Sequence, residues 1–219
     1  MDPTTERLSR TIWVGVGLLI VILCLTFVLS RLQSPPRPAA QLPILGQVAD
    51  FSLTNQDGRA VTLTDLRGHA WAADIIFTRC PGPCPRMTRQ MASLQAALPK
   101  ESGAKLVTLT TDPEFDSPGV LKKYPERLGL NASDRWIFLT GAKKEIAGLA
   151  IGSLKLTAIE QPADQRTNEA DLFIHSTIFV VVDKQARLRA VFETDGDGIT
   201  WTNVQPAIIA TLQQLERER

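Results

Sequence analysis

Two cysteines stand four positions apart in the stretch FTRCPGPCP, residues 77–85. Cys80 and Cys84 are each followed by a proline, and Gly82 lies between them. Such a pair can close a disulfide, exchange disulfides with another protein, or supply two thiolates to a soft metal. A purely structural disulfide is the weakest of these interpretations. A loop this short constrains the unfolded chain little, and the chain is long enough to build its own core.

The sequence around the motif predicts that a strand leads into it and a helix follows it. Residues 71–77 are a short, mostly apolar run that is typical of a buried strand. Apolar residues after Pro85 recur at spacings of four, three and four, which predicts one face of a helix: Met87, Met91, Leu94 and Leu98. The positive N-terminal end of a helix lowers the pKa of a thiol. We therefore expect an exposed pair at the helix start, with a lowered thiol pKa and an easily reduced disulfide.

Two thiolates make an incomplete metal site, and the chain has only two histidines. His69 lies in the loop LRGHAW and is interpreted as a surface or loop-capping imidazole. His175 stands at the start of the predicted strand STIFVVV, and its role, ligand or strand-edge residue, stays open at this point. Two thiolates and one imidazole suit Cu(I), whereas Zn(II) normally takes a fourth ligand.

The elements that must position these residues alternate between strand and helix, which predicts an α/β domain with a mixed central sheet. A hairpin is expected at 51–64 with its turn at Asp57 and Gly58. Further strands are expected at 71–77, 105–110, 136–139, 176–182 and 188–192, and 176–182 is the best candidate for a central strand. Helices are expected after Pro85, at 117–130 with an end or kink at Pro125, at 143–150 and at 204–215.

The N-terminal part of the chain has the composition of a membrane anchor. Residues 11–30 are twenty consecutive residues without a charge, and Cys24 among them is expected to face lipid. A helix of this length, at about 1.5 Å per residue, spans the ~30 Å hydrocarbon core of a bilayer. We predict a tail at 1–10, a transmembrane anchor at 11–30, a proline-rich linker at 31–43 and a globular domain at 44–219. The nearly balanced flanking charges, with the free amino group, slightly favour a cytoplasmic N-terminus.

The formal net charge of the chain is +1, without charge runs or internal repeats. No nucleic-acid partner is therefore expected.

Three segments together resemble the SCO/SenC family: TRCPGPCP, then TTDPEFDSP about thirty residues later, and the HS dipeptide before the β-branched run. The resemblance covers the chain from about Gly46 to its end and implies a thioredoxin-like fold. It implies ligation of copper, as Cu(I) with Cu(II) as an alternative, by Cys80, Cys84 and His175. It also implies a client, the copper-centre subunit of cytochrome c oxidase or another copper protein. The implied location is the cell inner membrane facing the periplasm, or the mitochondrial inner membrane facing the intermembrane space.

The chain departs from the family pattern at two places. Gly82 and Ile174 stand where many members of the family carry aspartate, which weakens any outer-shell role for a carboxylate.

Two charged residues near the motifs have open interpretations. Asp112 is either a turn or capping aspartate or a functional one, and Arg79 either steadies a thiolate or is a solvated loop residue.

Four functions compete for this sequence. A copper metallochaperone uses both cysteines and His175. A thiol–disulfide oxidoreductase that keeps client cysteines reduced uses only Cys80 and Cys84 as a redox pair. A peroxidase is favoured by the likeness of FTRCP to the peroxiredoxin segment, but it needs one cysteine. A tethered binding module without chemistry needs none of the three. Copper delivery ranks first because it alone uses all three residues.

Overall fold

The computed structural model describes residues 13, 15–27, 29, 41–156, 158–160, 173–175 and 177–218, with the backbone alone for 158–160 and 173–175. The chain divides into two compact units, Met1–Gln41 and Leu42–Arg219. In the first unit, residues 15–27 are helical. Among the described residues, no helix is both long and apolar enough to cross a bilayer. The anchor at 11–30 therefore stays a prediction, and the tail and residues 31–40 of the linker lie outside the described residues.

The second unit begins with short strands and continues with alternating strands and helices. Its strands are β1 (Gly46–Gln47), β2 (Ser52–Asn55), β3 (Ala60–Thr62), β4 (Trp71–Ile76), β5 (Lys105–Thr110), β6 (Trp136–Thr140), β7 (Ala158–Glu160), β8 (Phe173–His175), β9 (Ile178–Val182) and β10 (Arg187–Glu193). Its helices are α1 (Leu63–Leu66), α2 (Pro83–Ala97), α3 (Pro118–Arg127), α4 (Lys143–Ala147) and α5 (Trp201–Arg217). A π-helix, Gly148–Ser153, continues α4.

Eight strands form one mixed sheet in the order β1-β10-β9-β4-β5-β6-β2-β3. The pairs β4–β5 and β5–β6 are parallel, and the other pairs of this sheet are antiparallel. Strands β7 and β8 pair with each other in a separate two-stranded sheet. The predicted α/β domain with a mixed central sheet is confirmed, and β4 lies at its centre.

Burial on both faces explains why β4 reads as a nearly continuous apolar run. All six of its residues are buried. Trp71 and Ile75 belong to a core on one face of the sheet, and Ile76 belongs to a second core on the other face. The second core also holds the buried face of α2, which includes Met87 and Met91. The central strand and the helix after it are therefore fixed by packing on both sides of the cysteine motif.

Most predicted elements occur, and three differ in detail. Helix α3 continues past Pro125 and ends two residues later, at Arg127, close to where the proline was expected to end or kink it. The helix expected at 143–150 changes to π geometry after Ala147. The predicted strand at 176–182 begins at Ile178, between β10 and β4. His175 does not start that strand, since it ends β8, which pairs with β7.

Candidate functional site

The cysteine motif follows the carboxyl end of the central strand. β4 ends at Ile76, and the N–H of Cys80 donates to the carbonyl of Phe77 at 3.2 Å, which closes a turn. Helix α2 begins at Pro83, so Cys80 precedes the helix and Cys84 is its second residue. Proline suits this position because the first N–H groups of a helix have no partner within it.

The side chains of Cys80 and Cys84 are close enough to hydrogen-bond to each other. They are also buried, with exposed fractions of 5% and 0%. The expectation of an exposed pair is therefore wrong. Both cysteines belong to the second core, together with residues such as Phe77 and Met87. The site presents two sulfur atoms at one point, shielded from water.

Burial raises the pKa of the Cys84 thiol far above its ordinary value, and the neighbouring Cys80 raises it further. A backbone hydrogen bond from Phe77 opposes this rise without overcoming it. The expected lowering by the helix N-terminus is therefore wrong for Cys84, because loss of hydration disfavours the thiolate more than the helix end favours it. A metal or a second sulfur can replace the missing hydration.

A buried carboxylate lies on the same strand and was not identified from the sequence. Asp74 accepts a hydrogen bond from the hydroxyl of Thr108 at 2.7 Å, and Trp136 Nε1 donates to that same hydroxyl at 3.0 Å. Burial is the main cause of the raised pKa of Cys84, and the nearby charge of Asp74 makes a smaller contribution in the same direction. In the sequence, Asp74 is recognisable only as an acidic residue inside an apolar run. That pattern does not indicate that its side chain lies near the cysteines.

The loop before Cys80 is tied to the TTDPEFDSP segment. Arg79 Nη2 lies 2.5 Å from Asp112 Oδ2, and the guanidinium of Arg79 stacks over the ring of Phe115 at 4.4 Å. The carbonyl of Asp112 accepts hydrogen bonds from the N–H groups of Phe115 and Asp116, at 3.1 and 2.8 Å. Asp112 therefore forms a turn, as one interpretation held, and also pairs with Arg79, which neither interpretation of Arg79 anticipated.

Asp116 provides a second tie between the same two segments. It is fully buried and accepts hydrogen bonds from the N–H of Thr78 at 3.1 Å and from the Thr78 hydroxyl. The hydroxyl of Thr110 donates to Asp116 Oδ2 at 2.5 Å. Burial raises the pKa of Asp116, although these hydrogen bonds oppose the rise. Sequence reasoning missed Asp116, and its only signal was its place in the TTDPEFDSP segment.

The backbone of His175 precedes the strand that lies beside β4. His175 is three residues before Ile178, where β9 begins, and its backbone pairs with Ala158. Because β9 runs antiparallel to β4, the start of β9 lies toward the carboxyl end of β4, from which the cysteine motif emerges. The side chain of His175 lies outside the described part of the chain, as does the side chain of Ile174. Among the described residues, no group of three or more His, Cys, Asp or Glu could hold a metal ion.

The chain segment after His175 is also tied to the start of α2. The N–H and the hydroxyl of Thr194 both donate to the carbonyl of Thr177, at 3.1 and 2.5 Å. The next residue, Asp195, forms an ion pair at 2.7 Å with Arg86, in the first turns of α2. These contacts bring the backbone two residues after His175 into one network with the helix that carries Cys84.

His69 lies two residues before β4 begins, at the opposite end of this strand from the cysteine motif. Its Nδ1 is 2.8 Å from the carbonyl oxygen of Gly103. The interpretation of His69 as a loop-capping imidazole is confirmed.

Comparison with known proteins identifies the family. A sequence model of the family described as SCO1/SenC matches residues 44–207. The chain belongs to the SCO1/SenC family. The SCO1 protein homolog of Bacillus subtilis (strain 168) is 36% identical to this SCO1/SenC protein over 148 residues, which are 67% of this chain and 73% of the relative. The predicted family membership is thus confirmed.

Solved structures of similar proteins share the fold. BsSco, described as a member of the Sco family of cytochrome c oxidase assembly proteins with a disulfide switch, superposes with a TM-score of 0.66 at 29% identity, covering 82% of this chain and 98% of BsSco. Bradyrhizobium japonicum ScoI, solved with copper bound, superposes with a TM-score of 0.63 at 23% identity, covering 77% of this chain and 99% of ScoI. The thioredoxin-like fold predicted for this SCO1/SenC protein is confirmed.

Proposed function

We propose that this SCO1/SenC protein is a membrane-anchored metallochaperone that carries Cu(I) to the copper centre of cytochrome c oxidase. Cys80, Cys84 and His175 are the proposed ligands. The observation that carries the proposal is the contact between the side chains of Cys80 and Cys84, just after the carboxyl end of the central strand β4. A copper-bound ScoI and the description of BsSco as an assembly protein support it from related structures.

The donor set fits Cu(I) as cargo. Thiolate sulfur is a soft ligand, and two sulfurs with one imidazole satisfy a metal that accepts low coordination numbers. Cys80 and Cys84 supply the sulfurs, and burial protects them from water. His175 is the candidate for the third ligand because its chain segment reaches the same edge of the sheet. Both cysteines must lose a proton to bind, so metal capture and a thiol-protonated resting state exclude one another.

The proposed location follows from the N-terminal sequence. Residues 11–30 would anchor the chain in the inner membrane, and the proline-rich linker at 31–43 would hold the domain at 44–219 away from the bilayer. The domain would then face the periplasm or the intermembrane space. Reporter fusions after Arg219 test this orientation, because a reporter that works only in the cytoplasm should be inactive there.

Copper binding is tested with the full-length protein and a Cu(I) chelator as competitor. We expect one Cu(I) per reduced chain. Replacement of Cys80 or Cys84 by serine, or of His175 by alanine, should weaken binding by more than about 100-fold, beyond the loss expected for an outer-shell contact. The matched control is His69→Ala, which should bind Cu(I) like wild type because His69 lies at the opposite end of β4 from the cysteines. Full affinity in the His175→Ala variant would exclude His175 as a ligand.

Oxidation gives a second test of the same ligands. A disulfide between Cys80 and Cys84 leaves no thiolate for copper. Protein with a verified disulfide should therefore bind no Cu(I) under anaerobic conditions without reductant, and reduction should restore binding. Unchanged affinity of the oxidised protein would mean that the cysteines are not the ligands.

A thiol–disulfide oxidoreductase is the second candidate, and the contact between Cys80 and Cys84 favours it as well. It predicts that the reduced protein transfers two electrons and two protons to a disulfide in a client and becomes oxidised itself. His175→Ala separates the two functions. The variant should keep full reductase activity but lose Cu(I), whereas loss of both would tie His175 to the thiol chemistry.

A further inference from the structure

Two residue pairs hold the loop before Cys80 to the segment that precedes α3. Thr78 donates twice to the buried carboxylate of Asp116, once from its N–H at 3.1 Å and once from its hydroxyl. Arg79 pairs with Asp112 at 2.5 Å. Thr110 joins them, since its hydroxyl donates to Asp116 at 2.5 Å and accepts from the N–H of Asp112 at 3.0 Å. We call these five residues the loop clamp.

The clamp lies immediately beside one of the two reactive sulfurs. Thr78 and Arg79 directly precede Cys80, while Cys84 is fixed in the first turn of a packed helix. Cys80, Pro81 and Gly82 lie between these two anchored points and belong to neither the clamp nor the helix. Added side-chain bulk at Gly82 would reach the sulfur, because a Cβ there would lie 3.8 Å from Cys80 Sγ. The position of Cys80 therefore depends on the clamp that holds the residues before it as well as on its packing in the second core.

We propose that Asp116 is a positioning residue that sets the distance between the Cys80 and Cys84 sulfurs by holding Thr78. It contacts neither sulfur in this role and acts only through the loop. The inference rests on the proposed function in taking Cys80 and Cys84 as the reactive pair. It adds a residue outside the ligand set, about thirty-six positions along the chain from Cys80, that controls the chemistry of the pair.

The physical basis is effective concentration. A disulfide forms only when both sulfurs meet at a defined distance and angle, and a metal held by both has a similar requirement. A loop released from the clamp samples more positions, so the two sulfurs meet less often. Loss of Asp116 should thus weaken the disulfide and the copper site together. It should do so in the folded protein, apart from any loss of overall stability.

The deciding experiment measures the thiol–disulfide equilibrium of the full-length protein with glutathione. In that exchange one oxidised glutathione takes two electrons and two protons from Cys80 and Cys84, giving two reduced glutathiones and one protein disulfide. For Asp116→Ala we expect an equilibrium constant lower than that of wild type by on the order of tenfold. A constant within a factor of two of wild type would overturn the proposal.

Two conservative variants separate positioning from folding. In Asp116→Asn, the amide oxygen can accept from the Thr78 N–H and from Thr110, while the amide nitrogen donates to the Thr78 hydroxyl, so the equilibrium constant should return toward wild type. Thr78→Val removes only the hydroxyl and should lower the constant in the same direction. If Asp116→Ala does not fold, Thr78→Val decides. A wild-type constant for Thr78→Val, or no recovery in Asp116→Asn, would refute the clamp.

The matched control is a second buried carboxylate at the far edge of the sheet. Asp183 is 1% exposed and follows the carboxyl end of β9, beside the start of β4. Asp183→Ala should lower the unfolding free energy but leave the glutathione equilibrium unchanged. An equal change in both alanine variants would show a general structural effect and overturn the proposal. Because this readout needs no copper, failure of the wild type to bind Cu(I) would refute the proposed function, and the glutathione equilibrium would still test the clamp.

Discussion

Replacement of Arg189 by methionine tests what fixes the start of the domain to its sheet. Arg189 is 4% exposed, and its Nη1 lies 2.7 Å from Asp183 Oδ2 and 2.8 Å from Glu218 Oε2. Its Nη2 donates to the carbonyl of Leu42 at 2.7 Å, and its Nε lies 3.2 Å from the carbonyl oxygen of Pro43. One guanidinium on β10 thus contacts both the start of the larger unit, at Leu42 and Pro43, and Glu218 near its end.

The size of the effect follows from what remains after the substitution. Breaking a buried ion pair by removing one partner costs about 3–5 kcal/mol, because a charge is left buried without compensation. Asp183 keeps the N–H groups of Gln185 and Arg187, at 3.0 and 2.9 Å, and Arg187 Nε at 2.7 Å. We therefore expect the lower end, about 3 kcal/mol. Arg187→Met is the control, and its loss should be smaller because the Arg187 side chain is 30% exposed.

The same substitution should change how stability depends on pH. Burial acts to raise the pKa of Asp183, but hydrogen bonds from the Arg187 N–H and from the Arg189 and Arg187 guanidinium groups outweigh it, so the net pKa is lowered. A lowered folded pKa means that Asp183 contributes its full stability above the unfolded value of about 3.9, and loses it as pH falls through the folded value. Arg189→Met should therefore lose less stability on acidification than wild type.

Urea denaturation of the full-length protein measures both effects when it is followed by tryptophan fluorescence, to which the buried Trp71 and Trp136 contribute. The unfolding free energy is compared at pH 7 and at steps down to about pH 3. A loss below about 1 kcal/mol at pH 7, as for an exposed pair, would refute the assignment of Arg189 as a buried structural charge. So would an acid dependence that Arg189→Met leaves unchanged.

Three further predictions concern the surroundings of the motif. Met87→Ala should lower the unfolding free energy by about 2–5 kcal/mol, since Met87 is fully buried in the core that also holds both cysteines. A loss below about 1 kcal/mol in urea denaturation would contradict its core position. Arg86→Ala should lower the unfolding free energy by less than about 1 kcal/mol in the same assay, because the side chains of Arg86 and Asp195 are 48% and 54% exposed. A larger loss would contradict the interpretation of this ion pair as a weak surface pair. Maleimide should label Cys80 and Cys84 much more slowly in reduced native protein than in urea-unfolded protein, because both thiols are buried. Mass spectrometry follows the labelling, and rapid labelling of the native protein would show that the thiols are exposed.

The sequence alone determined the frame of the site. The apolar run at 71–77 and the helical spacing of Met87, Met91 and Leu94 indicated a strand and a helix on either side of the cysteines, and the structure has both. Such periodicity is readable because a chain segment must bury one face whatever covers it. The three motifs, taken together, also identified the family before any fold was known.

Tertiary packing decided the properties of the sulfurs. The sequence predicted an exposed pair with a lowered pKa, yet the second core covers both thiols and burial raises the pKa of Cys84. Asp116 holds Thr78 from thirty-eight residues away, and His175 lies on β8 in the small sheet. These outcomes depend on which distant elements meet at one sheet edge, and local residue patterns do not encode this. Hydration, charge partners and sulfur position are set by those distant neighbours, because electrostatic free energy depends on the surrounding medium as well as on the residue itself.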